Sequence, residues 1–217
     1  MSDIFREVDE EVRREQLRRI WERYGFLIIA GAVLIVALVG GWRAYEFWET
    51  KKAAEAGTRF EAAIQLSEQG KTQEAEAAFA KLAAEGTGTY RGLAKLREAA
   101  ELAKRDPKAA VAIYDSLASD GSLPPALREL ATLRAGFLLV DEAPYEDLRK
   151  RLEPLTGANS GFRHSARMLL ALSAWRNNAV AAARRWAEMI LGDGEAPSST
   201  RAQAEMLQTL TAGEGKS

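Results

Sequence analysis

Apolar residues are distributed along this chain in two ways. From Gly25 to Trp42 they form a continuous run that contains neither a charged side chain nor a proline. After about residue 55 they recur every three or four positions among charged residues, which is the period of an amphipathic α-helix. The first pattern predicts one helix that is apolar on every side. The second predicts a series of helices that each bury one face.

The continuous run has the length of a membrane span. As an α-helix it is about 27 Å long at roughly 1.5 Å per residue, close to the ~30 Å hydrocarbon core of a bilayer. Trp21 and Tyr24 precede it, and Trp42 and Tyr45 follow it, as in the aromatic belts at membrane interfaces. We therefore predict a transmembrane helix over residues 24–42.

A cleaved signal peptide and a buried core helix are the alternatives for this run. The segment before it, residues 1–24, is long and carries charges of both signs, whereas a signal peptide begins with a short basic stretch. No small-residue cleavage site follows Trp42, and a core helix rarely needs so long and uniform an apolar stretch. These features favour an uncleaved anchor.

Basic residues near the two ends of the run predict its orientation. The twelve residues before Tyr24 contain five arginines, and the twelve after Trp42 contain three basic residues. Because the more basic flank of a span stays in the cytoplasm, we expect residues 1–23 to be cytoplasmic. The large domain that follows the span is then expected on the opposite side of the membrane. The same arginines can contact anionic lipid headgroups. Ala30, Ala37 and Gly41 fall near one face of the span, which predicts a packing face for a partner helix.

The second part of the chain repeats itself with a period of roughly 35 residues, which is typical of solenoid repeats. The repeated element is a small residue, a large residue four positions later and an apolar residue three positions after that. It occurs as Ala75-Phe79-Leu82, Ala110-Tyr114-Leu117 and Ala182-Trp186-Met189, and with leucines throughout as Leu148-Leu152-Leu155.

Each repeated segment follows another helix with a small residue at its centre. These residues are Ala63, Ala99, Gly136 and Ala171, and each lies 11 or 12 positions before the first residue of the next segment's pattern. Turn-forming residues separate the two helices, and Gly/Pro-rich stretches separate successive pairs. The small residues are thus predicted to face the repeated segments in four helical hairpins.

These patterns predict an all-α protein. A single transmembrane helix leads through a helical connector, residues 43–56, into an α-solenoid of about four degenerate tetratricopeptide-like helix pairs, residues 57–212. We expect the membrane helix to continue into the first pair, because only Gly57 interrupts the helical pattern from Arg43 to Gln69. A capping helix over Ser198–Leu210 would cover the last pair, and residues 213–217 would form a disordered tail.

Composition excludes several kinds of chemistry. The chain has no cysteine, one histidine and a net charge of −1, so thiol chemistry and a general attraction to nucleic acid are not expected. His164 has no neighbours in the sequence that would complete a catalytic triad or metal site, which favours a packing role. We predict that the protein is not an enzyme and needs no cofactor.

The first helices of a solenoid line its concave face, where partners bind. The repeat register places Arg134, Phe137, Met168 and Arg176 on or near that face. Apolar residues bordered by arginines suit an extended peptide or a partner helix, although ordinary packing remains an alternative for each of them.

Two short motifs carry a resemblance to a known family. Gly41-Trp42-Arg43-x-Tyr45 closes the span, and Thr89-Tyr90-x-x-Leu93-Ala94-x-Leu96 opens the second pair. With the charged N-terminus and the degenerate repeats, the chain resembles the ancillary subunit of the SecYEG translocon, a bacterial inner-membrane family with a periplasmic tetratricopeptide domain. The third pair departs from the pattern, with Leu148, Leu152 and Pro154.

The resemblance implies a non-enzymatic adapter at the SecYEG translocon. Its expected partners are a membrane-anchored periplasmic chaperone of the prolyl isomerase type, newly translocating polypeptides and the lipid around the anchor. An envelope-assembly scaffold that binds division or outer-membrane biogenesis factors through the same groove is the alternative.

Overall fold

The computed structural model describes residues 3–86 and 88–214, and these residues form α-helices, one short 3-10 helix and no strand. The all-α prediction is confirmed. The helices are α1 (Asp3–Glu68), α2 (Thr72–Glu85), α3 (Gly88–Leu102), α4 (Pro107–Ala118), α5 (Pro125–Leu139), α6 (Tyr145–Leu152), α7 (Arg163–Arg176), α8 (Val180–Leu191) and α9 (Ser198–Glu214). The 3-10 helix, Glu153–Leu155, follows α6 directly.

The chain divides into two compact units, Met1–Glu55 and Ala56–Ser217. Helix α1 begins in the first unit and ends in the second, as the helical pattern up to Gln69 predicts. In the first unit, every large apolar side chain described between Phe26 and Trp42 is more than half exposed.

The second unit consists of four helical hairpins followed by a single helix. The end of α1 pairs with α2, α3 with α4, α5 with α6, and α7 with α8. The central small residue of each first helix is buried. The three residues of the repeated pattern in each second helix are also buried, except for the third of them in the fourth pair. The four-pair prediction is confirmed, and the clearest contact is the edge-to-face packing of Phe60 on Phe79, with ring centroids 5.4 Å apart.

The turns inside the hairpins form for local reasons. Gly70 ends the first helix of pair one with φ of 76°, a left-handed conformation that glycine adopts without strain. Asn178 has φ of 61° in the corresponding turn of pair four. In pair two, the Asp106 side chain accepts a 2.9 Å hydrogen bond from the Ala109 amide, and Pro107 occupies the first turn of α4.

The third hairpin is the irregular one, as its sequence indicates. Its second helix, α6, has only eight residues before the 3-10 turn that contains Pro154. Leu148 and Leu152 are both buried, and they take the places of the alanine and the aromatic residue found elsewhere. Gly136 compensates on the facing helix, because a Cβ there would lie 2.8 Å from a methyl carbon of Leu152.

Helix α9 packs against α8 and α7 and closes the C-terminal end of the second unit. Ala204 and Leu207 are buried at this contact, as the predicted cap requires. The helix extends to Glu214, so residues 213 and 214 of the predicted tail are helical, and residues 215–217 lie outside the described residues.

The last position of the repeated pattern is exposed in the fourth pair. The spacing of the repeat selects Met189, but 42% of Met189 is exposed, and the following residue, Ile190, is fully buried. Ile190 packs with Ala187 and Ala204 below α9. Helix α9 therefore covers Ile190 of α8, which lies one residue after the position given by the repeat pattern.

Candidate partner-binding surface

An apolar row follows the first helices of the four hairpins. We define the apolar row as Ile64, Ala100, Phe137 and Leu172, each of which directly follows the central small residue of its helix. Phe137 is 50% exposed and Leu172 39% exposed, whereas Ile64 and Ala100 are half-buried. The row therefore offers most of its apolar surface in the third and fourth pairs.

Two of the predicted groove residues flank this row. Arg134 lies one helical turn before Phe137 on α5 and is exposed. Arg176 is exposed near the C-terminal end of α7, and its guanidinium donates a hydrogen bond to the Ala143 carbonyl in the turn between α5 and α6. Arg176 thus joins the third and fourth hairpins as well as bordering the row.

The structure corrects the prediction for Met168. This residue is only 6% exposed and packs with Ala187, Ile190 and Ala204. Helix α7 is covered at this position by both α8 and α9, and the equivalent residues of α3 and α5, Leu96 and Leu133, are buried as well. Met168 therefore belongs to the core and not to a partner-binding surface.

Leu172 is an exposed candidate for the partner-binding surface that the sequence reasoning missed. Its separation from Phe137 along the chain equals the separation of Ala171 from Gly136. The repeat register already contained this signal, because the two residues hold the same position relative to the small residue of their helix. Counting from the small residue would have selected Leu172 and rejected Met168.

Buried charges join α7 to the loop between α8 and α9. Asp193 accepts hydrogen bonds from Arg163 Nε at 2.9 Å and from Arg167 Nη1 at 3.0 Å. Arg167, 7% exposed, also donates to the Thr156 carbonyl at 2.8 Å and to the Met189 carbonyl at 3.1 Å. This arrangement gives a buried guanidinium several acceptors, which is the condition for burying such a charge.

His164 belongs to the same cluster and has the packing role predicted for it. It is 8% exposed, and its Nε2 lies 2.9 Å from Asp193 Oδ2 without the alignment of a hydrogen bond. The Arg163 guanidinium, together with the Glu195 amide and Arg167, holds the pKa of Asp193 well below its usual range against the opposing effect of burial. The cluster thus links α7 to the loop between α8 and α9.

Two surface cavities of the second unit are lined by residues other than those of the apolar row. One, of about 310 Å³, lies between α6 and α8, where Trp186 Nε1 donates to Tyr145 Oη at 2.9 Å. Another, of about 450 Å³, lies between the end of α1 and α2 beside the Arg59–Glu85 ion pair. No cluster of potential metal ligands occurs among the described residues.

The first unit contains the other predicted contact residues. Ala30, Ala37 and Gly41 are all exposed on α1, and a Cβ added at Gly41 would meet nothing within 4 Å. Among the described residues, α1 is the one helix long and apolar enough to cross a membrane. Its use as a packing face stays a prediction.

Comparison with known families agrees with this architecture. Residues 18–168 match the family described as a tetratricopeptide repeat-like domain, and the chain belongs to that family. The matched region includes the apolar run and ends within α7, so α8 and α9 lie beyond it. No curated protein and no solved structure shows a significant match to the chain.

Proposed function

We propose that this protein is a non-enzymatic adapter anchored in the bacterial inner membrane at the SecYEG translocon. The apolar run crosses the membrane with the N-terminus in the cytoplasm. The helical hairpins then offer the apolar row to periplasmic partners, namely newly translocated polypeptides and a membrane-anchored chaperone of the prolyl isomerase type.

The observation that carries the proposal is the exposure of Phe137 and Leu172 at equivalent positions of neighbouring first helices. The two side chains hold the same register position on successive first helices, and an apolar strip of this kind suits an extended chain with apolar residues. Tetratricopeptide-like repeats are an interaction fold that carries no catalytic machinery of its own. A strip that holds unfolded chains weakly is what an adapter for emerging polypeptides requires.

The apolar run supports the anchored form of the proposal. Its large side chains are exposed along the described part of the run, and water is an unfavourable environment for so large an apolar surface. A bilayer would cover them. The family match extends over both the run and the repeats, which supports a function that uses both.

The choice of partner rests on the resemblance to the ancillary translocon subunit and on the small residues of α1. In lipid, helices associate through close packing, and Ala30, Ala37 and Gly41 would let a helix of the translocon approach α1 closely. Binding through the span would also raise the effective concentration of emerging chains near the apolar row, so that weak contacts there suffice.

Replacing the span tests the translocon assignment. Residues 24–42 are exchanged for an unrelated apolar helix of equal length, while residues 1–23 and 43–217 are kept. We expect the chimera to insert and fold but to lose most of its co-purification with SecYEG. Full retention of SecYEG would contradict recognition through the span. Co-purification of the wild type with division or outer-membrane assembly factors, and without SecYEG, would favour the scaffold alternative.

A second experiment tests the adapter surface itself. A photo-crosslinking residue at Leu172 should capture newly translocated polypeptides in cells, and one at Met206 on the outer side of α9 serves as the matched control because it is 66% exposed. Replacing Phe137 by Ser should reduce crosslinking from position 172. Equal crosslinking from both positions, with no effect of the Phe137 change, would contradict a binding role for the apolar row.

A further inference from the structure

The first hairpin of the second unit lacks the preceding hairpin that each later one packs against. In the third and fourth hairpins, Ala135 and Leu170 lie one residue before the central small residue of the first helix. Ala135 packs in one cluster with residues of α3 and α4, and Leu170 packs with Leu148 and Leu152 of α6. This register position therefore faces the preceding hairpin. Its counterpart in the first hairpin is Ala62, which is exposed.

Ala78 on α2 is on the same side of the first hairpin. Counted from the repeated pattern, its equivalents on α6 and α8 are Arg151 and Arg185. Arg151 Nη2 donates a 3.1 Å hydrogen bond to Asp115 on α4, and Arg185 lines the cavity between α6 and α8. Both residues thus face the second helix of the preceding hairpin. Ala78 faces the same way, where no hairpin precedes it.

We define the N-terminal face as the side of the first hairpin that carries Ala62, Leu66 and Ala78. The cavity of about 450 Å³ between the end of α1 and α2 opens on this face, and all three residues line it. In later hairpins the equivalent side is a surface on which helices pack. A helix is therefore the occupant that the N-terminal face suits.

The C-terminal end of the second unit carries an exposed apolar side of a helix. Helix α9 packs against α8 and α7, and its Ala204 and Leu207 are buried. Ala202, Met206 and Leu210 follow one another at intervals of four residues, so they share another side, which we call the outer face of α9. Met206 is 66% exposed and Leu210 is 48% exposed. A further hairpin would cover such a face in a longer solenoid.

The N-terminal face and the outer face of α9 complement each other. In a solenoid, the end of one hairpin packs on the start of the next, and these two faces are the start and the end of the series in one copy. Their charges also match, because Lys81 lines the cavity and Glu205 is exposed beside Met206. Neither of these two side chains has an ion-pair partner within the described parts of the chain. A second copy can therefore supply both the apolar side chains and the opposite charge.

We propose that copies of this protein associate head to tail, with the outer face of α9 of one copy docked on the N-terminal face of the next. Met206 and Leu210 enter the cavity between α1 and α2, and Glu205 pairs with Lys81. The contact joins two different surfaces, so it extends copies into a row or closes them into a ring. It uses no residue of the apolar row and goes beyond the proposed function.

Introduced thiols test the contact, because the chain has no cysteine of its own. Two full-length copies with different tags are co-expressed, one with Ala62→Cys and the other with Ala202→Cys, and freshly opened cells are oxidised mildly. We expect a disulfide that joins the two tags. Ala62→Cys with Ala112→Cys, at an exposed position of α4, is the control and should give none. A yield no higher than the control, or bonds that join identical positions instead, would overturn the head-to-tail contact.

Charge reversal in one copy at a time tests the orientation of the contact. Lys81→Glu in the copy with the Ala62→Cys thiol should lower the disulfide yield at least about threefold, because like charges then meet. Glu205→Lys in the other copy should restore the yield. Lys108→Glu, at an exposed lysine of α4, is the matched control and should change nothing. A loss that Glu205→Lys does not reverse would contradict the pairing of these two charges.

The apolar part of the contact is tested on α9. Met206→Gln in the copy with the Ala202→Cys thiol should lower the yield at least about threefold, because an apolar side chain is lost from the contact. Met189→Gln is the matched control, since Met189 is an exposed methionine on the neighbouring helix α8. Equal yields for the two variants would contradict an apolar contact through α9.

A photo-crosslinking residue at Ala62 identifies the occupant directly. We expect it to capture a second copy, recognised by its different tag. Capture of another protein without a second copy would overturn the assignment. The outcome is separate from that of the proposed function: translocated polypeptides at Leu172 with no second copy at Ala62 would overturn this inference alone, and the opposite result would overturn only the adapter surface.

Discussion

At the scale of single residues, close approach between helices determines the fold of the repeats. Gly136 is the tightest such position on α5, since a Cβ there would lie 2.8 Å and 3.0 Å from the two methyl carbons of Leu152. Leu152 is fully buried and replaces the aromatic residue of the other second helices. The glycine on α5 and the leucine on α6 therefore form a matched pair that lets the irregular third hairpin close.

The first prediction follows from this pair. Gly136→Ala should lower the free energy of unfolding by about 1–3 kcal/mol, because the added methyl group overpacks against the fully buried Leu152. The measurement is urea unfolding of the full-length protein in detergent, followed by circular dichroism. Gly121→Ala is the control, since a Cβ there meets nothing within 4 Å. A stability of the Gly136 variant equal to that of the control would contradict the close packing.

The second prediction concerns Asp193 and acid. Hydrogen bonds from Arg163, with those from the Glu195 amide and Arg167, hold the pKa of Asp193 below its unfolded value of about 3.9. The unfolded chain therefore takes up the proton first as the pH falls. The stability that Asp193 contributes is complete above that value and is lost as the pH falls through the lower pKa of the folded state.

Urea unfolding between pH 7 and pH 3 measures this contribution. It is the difference in the free energy of unfolding between the wild type and the Asp193→Asn variant. We expect the variant to be less stable at neutral pH and the difference to narrow in acid. Asp141 is an exposed acid in the turn before α6, and it serves as the control. The Asp141→Asn variant should have the free energy of unfolding of the wild type at both neutral and acid pH. A difference that stays constant down to pH 3 would show that the charge of Asp193 does not stabilise the fold.

These residues also show where sequence reasoning succeeded and where it stopped. The small residues at the centres of the helices were predictable because they repeat along the chain. The contact of Arg167 with Asp193 was not, since no arginine holds the equivalent position in α3 or α5, whereas the Arg163–Asp193 pair repeats the Arg91–Asp120 pair of the second hairpin. Met168 was assigned wrongly because its register position is a buried one, as Leu96 and Leu133 show in the earlier pairs.

At the scale of elements, the helices differ in how their N-termini are satisfied. The N-cap residues that precede α2 and α8, Lys71 and Ala179, provide no side-chain hydrogen bond, whereas Asp106 caps α4. Helix boundaries that are marked by Gly and Pro were predictable from the sequence. Helix α4, for example, starts at Pro107 directly after its cap Asp106. The shortening of α6 to eight residues follows from Pro154, which cannot donate a backbone hydrogen bond and restricts the preceding residue.

The third prediction uses this difference in capping. Asp106→Ala should lower the free energy of unfolding by about 1 kcal/mol, because the Ala109 amide loses its acceptor at 2.9 Å. Asp106→Ser should retain most of the stability, since serine also accepts the bond. Urea unfolding of the two variants side by side makes this comparison. Equal losses for alanine and serine would indicate that the charge, and not the cap, matters.

At the scale of the whole molecule, arginine contacts to backbone carbonyls hold the last hairpin and α9 in place, in addition to ion pairs such as Arg163–Asp193. Arg167, Arg184 and Arg201 each donate to backbone carbonyls near helix ends, at Thr156, at Thr211, and at Leu191 and Asp193. Earlier pairs are joined by side-chain ion pairs such as Arg105–Glu76 at 2.8 Å. Arg184 and Arg201 thereby satisfy carbonyl acceptors near the C-terminal ends of α9 and α8. Such an ending was not predictable from the repeat period, which describes only what successive hairpins share.

The last prediction concerns the arrangement of the whole chain across the membrane. Five arginines precede Tyr24 within twelve residues, against three basic residues after Trp42, and this difference predicts that the N-terminus stays in the cytoplasm. The chain has no cysteine, so a single introduced thiol reports one position without interference. In cells with a permeable outer membrane, a membrane-impermeant maleimide should label a cysteine at Ser199, which is exposed on α9. A cysteine at Ser2 should react only after the inner membrane is lysed, and both must react in detergent as the control. The reverse pattern would place the apolar row in the cytoplasm, where it could not meet polypeptides that have crossed the membrane, and the translocon function would fail with it.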